Sequence, residues 1–460
     1  MFKTKLAAFI TLLALSGCAS LEPDYRRPDM PVPQQFSASQ NALVNQTGTP
    51  GAGWQTFFTD PQLKQILSGA LIHNRDLQTA VLNVQEAAQK YRVTNADRYP
   101  QLGSSYSTTY SGGLKGSSST DSEFNVGLNL SYELDLFGKL KNMSEAERQS
   151  FLATQQAQRA AYLLVISQVA QNYLNSQLIQ QQLRIAKSAL ANYRRSYLLI
   201  EQRSLMGKST LLELEQAKGL MESAQNDVAK REGDLALALN ALRLSVGNFS
   251  LPEASAGDLS AYPVGVKLPS PLSSDILLQR PDIIEAEHQL LAANANIGAA
   301  RAAFFPSVSL TGGLTGASTE LSSLFNAASG AWSFIPKIEL PIFTGGKNRA
   351  NLAIAEIRND IAIVNYEQKI QTAFKEVADA LAQRESLQKR LNAQRRYLNT
   401  LQTTSLRANR LYASGAANYL DVLDAERSLF SARQDLADLQ YQTQLNEINL
   451  FIALGGGWVN

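Results

Sequence analysis

The chain repeats itself. At an offset of 206 residues "RDLQTA" from Arg75 meets "PDIIEA" from Pro281, Pro100 meets Pro306, Leu134 meets Leu340, Phe137 meets Phe343 and Asn142 meets Asn348. Farther along the offset becomes 208, and Gly207 meets Gly415, Leu212 meets Leu420, Ala217 meets Ala425 and Gly247 meets Gly455. One two-residue shift over so long a span marks a single large module used twice, with a period too long for a solenoid of short repeats. Any fold for these 460 residues must hold two equivalent halves.

Each half reads as helix, two strands, then two long helices. "AARAAFFPSVSLTGG" changes from helical to alternating character at Pro306, and "TNADRYPQLGSSYS" makes the same switch at Pro100. Strands are expected at 101–112 and 123–137, and again at 307–317 and 332–343. In the second, Phe124, Val126, Leu128, Leu130, Tyr132, Leu134 and Leu136 share one face, while Asn125, Asn129, Ser131, Glu133 and Asp135 share the other. Trp332, Phe334, Ile338, Leu340 and Ile342 form the apolar face of the fourth. Clean alternation over such lengths, with aromatic residues near the ends, is the pattern of a tilted transmembrane β-strand. A soluble sandwich with one wet face is the competing reading. Four strands cannot close a barrel, and lipid does not tolerate an open sheet edge. Several chains must then share one barrel, and three would supply about twelve strands, an even number.

The long helices point away from the strands. The run from about Arg349 to Leu411 holds no proline, and Ile370, Phe374, Val377 and Leu381 follow the 4-3-4 spacing of a coiled-coil seam. At about 1.5 Å per residue it would reach roughly 95 Å, far beyond a membrane. Gly415 stops it and Asn418 caps the returning helix from Tyr419, as "SLMGKST" does in the first half. Helical hairpins from several copies could ring a hollow tube or fill into solid coiled coils.

The sole cysteine is placed to carry lipid. "MFKTKLAAFITLLALSGC" has a basic start, an apolar run too short to span a bilayer, and small residues leading to Cys18. It resembles a bacterial lipoprotein leader in which Cys18 is acylated, and Ala19 lacks the aspartate that retains such proteins at the inner membrane. A proline-rich tether follows, with Pro23, Pro28, Pro31 and Pro33. The formal charge of +2 gives no reason to expect nucleic acid.

Catalytic patterns are missing. "MGKST" imitates a phosphate-binding loop but has Gln202 where that loop needs glycine. His73 and His288 each stand alone on helices and are read as structural. Met30, Met143, Met206 and Met221 form no cluster, so no metal site is expected, and Gly455, Gly456 and Gly457 read as a flexible terminator. The residues describe a passive conduit and not an enzyme, with no cofactor besides the lipid on Cys18.

Taken together, "PDYRRP" at 23–28, "LQRPDI" at 278–283, "AARAAFFPSVSL" at 299–310, "YLDVLDAERSLF" at 419–430 and "ALGGGW" at 453–458 resemble the outer-membrane factor family. These are the channels of bacterial tripartite efflux systems, and "FGKLKNMSEAERQ" and "LQRPDIIEAEH" look most like its copper- and silver-exporting branch. The resemblance implies an α+β membrane protein. Three chains would share a twelve-stranded β-barrel that continues into a long periplasmic α-helical barrel. It implies a homotrimer in the outer membrane, a periplasmic adaptor, and through it an inner-membrane RND-type pump. Monovalent copper and silver are the implied cargo, with organic drugs, or a non-conducting structural lipoprotein, as alternatives. The expected divisions are a leader at 1–17, a lipid-anchored linker and equatorial segment at 18–60, and a first repeat at 61–250. An equatorial linker at 251–274 and a second repeat at 275–460, ending in an equatorial segment, complete the chain. The resemblance places a periplasmic gate at Tyr412, Leu420, Asp424 and Arg427, and adaptor contacts at Gly207, Lys208, Ser209, Gly415 and Ala416. Leu420 and Asp424, four apart, share a helix face. Asp421 is read as serving the helix N-terminus, and an i,i+3 pair of Asp424 with Arg427 competes with the gate role.

Overall fold

The computed structural model describes residues 20–36, 53–112, 121–250, 259, 265, 272–326 and 329–457. The leader with Cys18, and Trp458, lie outside that set. The described residues form eight α-helices and four strands. In order these are α1 (Trp54–Phe57), α2 (Pro61–His73), α3 (Arg75–Ala96), β1 (Gln101–Ser111), β2 (Asp121–Leu134), α4 (Lys139–Leu205) and α5 (Leu211–Val246). A 3-10 turn at Ser274–Gln279 leads to α6 (Pro281–Ala302), β3 (Ser307–Ser318), β4 (Gly330–Glu339), α7 (Lys347–Ala413) and α8 (Tyr419–Ala453). Helices α4 and α7 have 67 residues each and contain neither glycine nor proline, so nothing local interrupts them. No described helix is long and apolar enough to cross a membrane.

The chain divides into two compact units. One comprises Met1–Asp29, Leu82–Ala157 and Ile284–Lys369. Its centre is an antiparallel sheet in the order β1-β2-β3-β4. The register lines up Leu102, Leu130, Gly312 and Phe334 in one cross-strand row and Ser104, Leu128, Leu314 and Trp332 in another on the same face. That face is apolar yet open: Leu102, Leu314, Trp332 and Ile338 are 61–77% exposed. The intervening rows are polar, such as Gly103, Asn129, Gly313 and Ser333, and Asn129 Nδ2 donates to Ser105 Oγ at 3.3 Å.

Two strands stop short of expectation. β2 ends at Leu134 and not Phe137, because the chain turns through Gly138 at φ 72° and the Phe137 ring stacks on Phe305 at 4.7 Å. β4 ends at Glu339 and not Phe343, next to Pro341, which has no N–H to give a ladder.

The N-terminal segment of this unit is a strap along α6. Ser20 Oγ donates to Asn142 Oδ1 at 2.8 Å, and Asn294 Nδ2 donates to Glu22 Oε1 at 3.0 Å and to the Pro23 carbonyl at 2.9 Å. Arg27 makes two 2.7 Å bonds to Glu287. Gly298 leaves room for it, since a Cβ there would stand 2.9 Å from Glu22 Cα.

The second unit comprises Met30–Val81, Gln158–Ile283 and Ile370–Asn460. Its main core gathers Trp54, Phe57, Phe58, Leu67, Ile166, Val169, Tyr173, Val246, Ile448 and Phe451, with Phe57 stacked on Phe451 at 4.2 Å. Arg280, buried, donates to the Ala453 carbonyl at 2.8 Å and pairs with Asp282 and Glu376. A guanidinium thus satisfies the last turn of α8, where the helix dipole favours a cation. The three glycines after α8 are not a flexible terminator. Gly455, Gly456 and Gly457 all take positive φ, and a Cβ on Gly456 would stand 2.2 Å from Leu163 Cδ2.

Below that core the helices pack in the order α7, α8, α4, α5. Leu387 and Leu391 of α7 meet Leu436 and Leu439 of α8. Ala189 and Tyr193 of α4 meet Phe430 of α8 and Ala224 of α5.

Candidate functional site

Both hairpins end in the same kind of turn. α4 closes at Gly207, φ 69°, with Lys208 N–H donating to the Arg203 carbonyl at 2.8 Å. α7 closes at Gly415, φ 79°, with Ala416 N–H donating to the Leu411 carbonyl at 2.8 Å. A left-handed residue just past a helix end is reached at least strain by glycine. Thr210 then caps α5: its Oγ accepts from Glu213 N–H at 3.2 Å, and its own N–H donates to Glu213 Oε2 at 3.1 Å. Ser209 Oγ also donates to Glu213. At α8 the Asn418 N–H donates to Asp421 Oδ2 at 3.2 Å, so Asp421 serves the helix start. Gly207, Lys208, Gly415 and Ala416 are exposed and Ser209 is half-buried. "MGKST" is thus a helix-to-helix turn.

The first turn is flanked by exposed apolar side chains, Leu205, Met206, Leu211 and Leu212, at 61–85%. Leu420, Asp424 and Arg427 lie on one exposed stripe of α8, opposite the buried Tyr419, Val422 and Leu423. Among the described residues Asp424 and Arg427 form no ion pair, so the simple i,i+3 reading has no contact behind it. Tyr412 stands apart from that stripe. Its ring lies 5.3 Å from Tyr419, and the Arg203 guanidinium sits 5.1 Å above it.

Behind the stripe is a polar network that the sequence did not disclose. Glu426 Oε1 accepts from Ser405 Oγ at 2.7 Å and Asn409 Nδ2 at 2.9 Å, tying α8 to α7. Tyr193 OH donates to the Glu426 carbonyl at 3.3 Å, and Ser196 and Tyr419 share a 3.1 Å bond, tying α8 to α4. Burial, helped by the Glu426 charge, pushes the Tyr193 phenol up to about 12, so it stays a neutral donor at any physiological pH. Glu426 has partners 17 and 21 residues away, beyond the reach of spacing rules.

His288, read as structural, has its Nδ1 2.8 Å from Gln149 Oε1. Among the described residues no group of three or more His, Cys, Asp or Glu is placed to hold a metal ion.

An open sheet with an apolar exposed face, joined to long helical hairpins, is the architecture of an outer-membrane channel. The family model for outer membrane efflux proteins matches residues 66–248 and again 272–456, and the chain belongs to that family. It is similar to the cation efflux system protein CusC of Escherichia coli strain K12, 60% identical over 99% of this chain and 100% of that one. It is also 56% identical, over the whole of both chains, to the probable outer membrane lipoprotein SilC of Salmonella typhimurium. A crystal structure of CusC superposes with a TM-score of 0.88 at 59% identity, covering 95% of this chain and 100% of that chain.

Proposed function

We propose that three copies form the outer-membrane channel of a tripartite exporter, a passive conduit carrying monovalent copper and silver from periplasm to exterior. The observation that carries this reading is the open sheet. β1 and β4 each have an unpaired edge, and the exposed face is lined by Leu102, Leu314, Trp332 and Phe334. A sheet of that kind is stable in lipid only when its edges are closed by other copies. Three copies give about twelve strands. The cargo assignment is supported by the likeness to a cation efflux protein and to SilC. The chain would divide into a leader at 1–17, a lipid-anchored linker and equatorial segment at 18–60, repeats at 61–250 and 275–460, and an equatorial linker at 251–274 between them.

Cys18 would carry the lipid, and the strap from Ser20 to Arg27 would hold the anchored end against α6. Gly207, Lys208, Ser209, Gly415 and Ala416 would meet a periplasmic adaptor coupled to an inner-membrane pump, with the exposed Leu205, Met206, Leu211 and Leu212 adding apolar contact. Around a three-fold axis Leu420 would give an apolar ring and Asp424 an acidic one, with Tyr412 and Arg427 beside them as the gate.

The test combines conductance with cell survival. Purified protein in a planar bilayer should conduct as a trimer. Expressed with the matching adaptor and pump, it should restore silver and copper tolerance to a strain lacking its own channel. Rescue against organic toxicants alone would move the cargo to drugs. A trimer with no conductance would leave a structural lipoprotein.

A further inference from the structure

The sheet carries a cavity on its apolar face. One end of every strand adjoins a helix: β1 follows α3 and β3 follows α6, while β2 leads into α4 and β4 into α7. The other ends are the connections between β1 and β2 and between β3 and β4. At that end the chain after β3 does not stand clear of the sheet. It folds back over the apolar face at Gly316 and Val126, which are partners in the β2–β3 register. A Cβ on Gly316 would stand 3.1 Å from the Leu324 carbonyl oxygen, so glycine is what lets the loop lie this close, and Leu324 is 2% exposed.

Hydroxyls hold the loop there. Ser329 Oγ lies 2.7 Å from both the Leu324 and the Asn326 carbonyl oxygens. Ser323 Oγ donates to the Glu320 carbonyl at 3.0 Å, and Ser122 Oγ of β2 donates to the Thr319 carbonyl at 3.3 Å. Between loop and strands is a cavity of about 540 Å³, lined by Val126, Leu128, Leu314 and Trp332 of the sheet and by Leu324 and Phe325 of the loop. None of its lining residues is charged. Phe325 and Trp332 are 80% and 77% exposed, so the chain itself covers neither aromatic wall.

We propose that this cavity seats one acyl chain of lipid A, the glycolipid of the outer leaflet. The proposal rests on the reading of the sheet as part of a lipid-facing barrel and adds a site to it. With the helices in the periplasm, the connection end of the sheet lies at the outer leaflet, where the acyl chains belong to lipid A. Copies of the chain meet along the β1 and β4 edges, and the cavity lies on the face between those edges, so its neighbour is lipid and not protein. A hollow left empty there would forfeit dispersion contacts along its lining. A charge-free lining admits a hydrocarbon chain and offers a phosphate nothing. The volume is that of a small-ligand pocket, about 300–1,000 Å³, enough for one chain and not for the whole glycolipid. Lipid tails gain no hydrophobic drive from leaving lipid, so retention must come from packing. A chain on the bare sheet touches protein on one side, whereas here sheet and loop hold it on two.

Native mass spectrometry of the detergent-purified protein tests this. The wild-type trimer, stripped of lipid and then offered lipid A in mixed micelles, should retain one lipid A per chain. Leu314→Trp fills the cavity from β3, and Ser104→Trp, whose native side chain also lines it, fills it from β1. Each should weaken retention about tenfold or more, with trimer mass and conductance as in the wild type. Ile338→Trp lies on the same face at the far end of β4, at a position 72% exposed, and should retain lipid A like the wild type. A trimer that retains no lipid A, or filled variants that retain as much as the wild type, would overturn the site while leaving the channel standing. Equal retention of phosphatidylethanolamine, offered in the same way, would overturn lipid A as the occupant. A wild-type protein that stays monomeric and conducts nothing would overturn the barrel reading itself.

Discussion

Gly456 and His288 show how much a single position can carry. Gly456 combines φ 68° with a would-be Cβ contact of 2.2 Å to Leu163. Gly456→Ala therefore carries both a left-handed backbone penalty and overpacking, together on the order of 2 kcal/mol or more. The expected result is a clearly lowered thermal midpoint of the purified protein; an unchanged midpoint would mean the three glycines are loose after all. His288 speaks through pH. Burial, with Arg148 nearby, holds its pKa below the usual value despite the opposing Glu287 charge. The unfolded chain then binds the proton more readily than the folded one. The contribution of neutral His288 is full above about pH 6.5 and declines as pH falls toward the lowered value. Wild-type melting should drop more steeply than that of His288→Gln on acidification from about pH 7 to about pH 5, and parallel curves would count against the assignment.

The turn elements make a sharper prediction. Thr210→Ala removes the acceptor for Glu213 N–H and should open the first turn of α5 by about 1 kcal/mol. Amide exchange at Glu213 and Leu214, whose N–H groups bond to Thr210, should quicken about fivefold while the core of α4 is unaffected; equal protection in both proteins would argue against the cap. Such caps, like the strands, were legible because their information is local: Gly207 and Gly415 mark the turns, and the alternation from Phe124 to Leu134 fixes a face without distant partners. The ends of β2 and β4 were less legible, since alternation persists through Leu136 and Ile342 after the ladder has stopped. What the sequence hid is non-local. Arg280 is held by Ala453, 173 residues away. Gly456 looks flexible until Leu163 is set against it. The spacing of Leu420, Asp424 and Arg427 announced a stripe, but the Arg203 above Tyr412 comes from the other hairpin.

In the assembled channel the α8 stripe would become a set of rings, and the balance of charge among them would help hold the gate closed. Asp424 and Arg427 are exposed and form no ion pair among the described residues, so three copies would bring three carboxylates and three guanidiniums to the same constriction. Their mixture limits self-repulsion. Asp424→Arg replaces it with six cations. At about 8 Å and an effective dielectric near 40, each like-charge pair costs about 1 kcal/mol, and several such pairs would suffice to bias a closed state toward opening. The variant should therefore show raised conductance in planar bilayers and admit bulky antibiotics into cells. The swap Asp424→Arg/Arg427→Asp keeps three charges of each sign and should restore closure, which a purely steric account of the residue at 424 does not predict. If Asp424→Arg and wild type conduct alike and exclude the same solutes, Asp424 is not part of the gate, and closure would rest on the Leu420 ring and on the bonds from Tyr193, Ser196 and Arg203 that hold the second hairpin to the first.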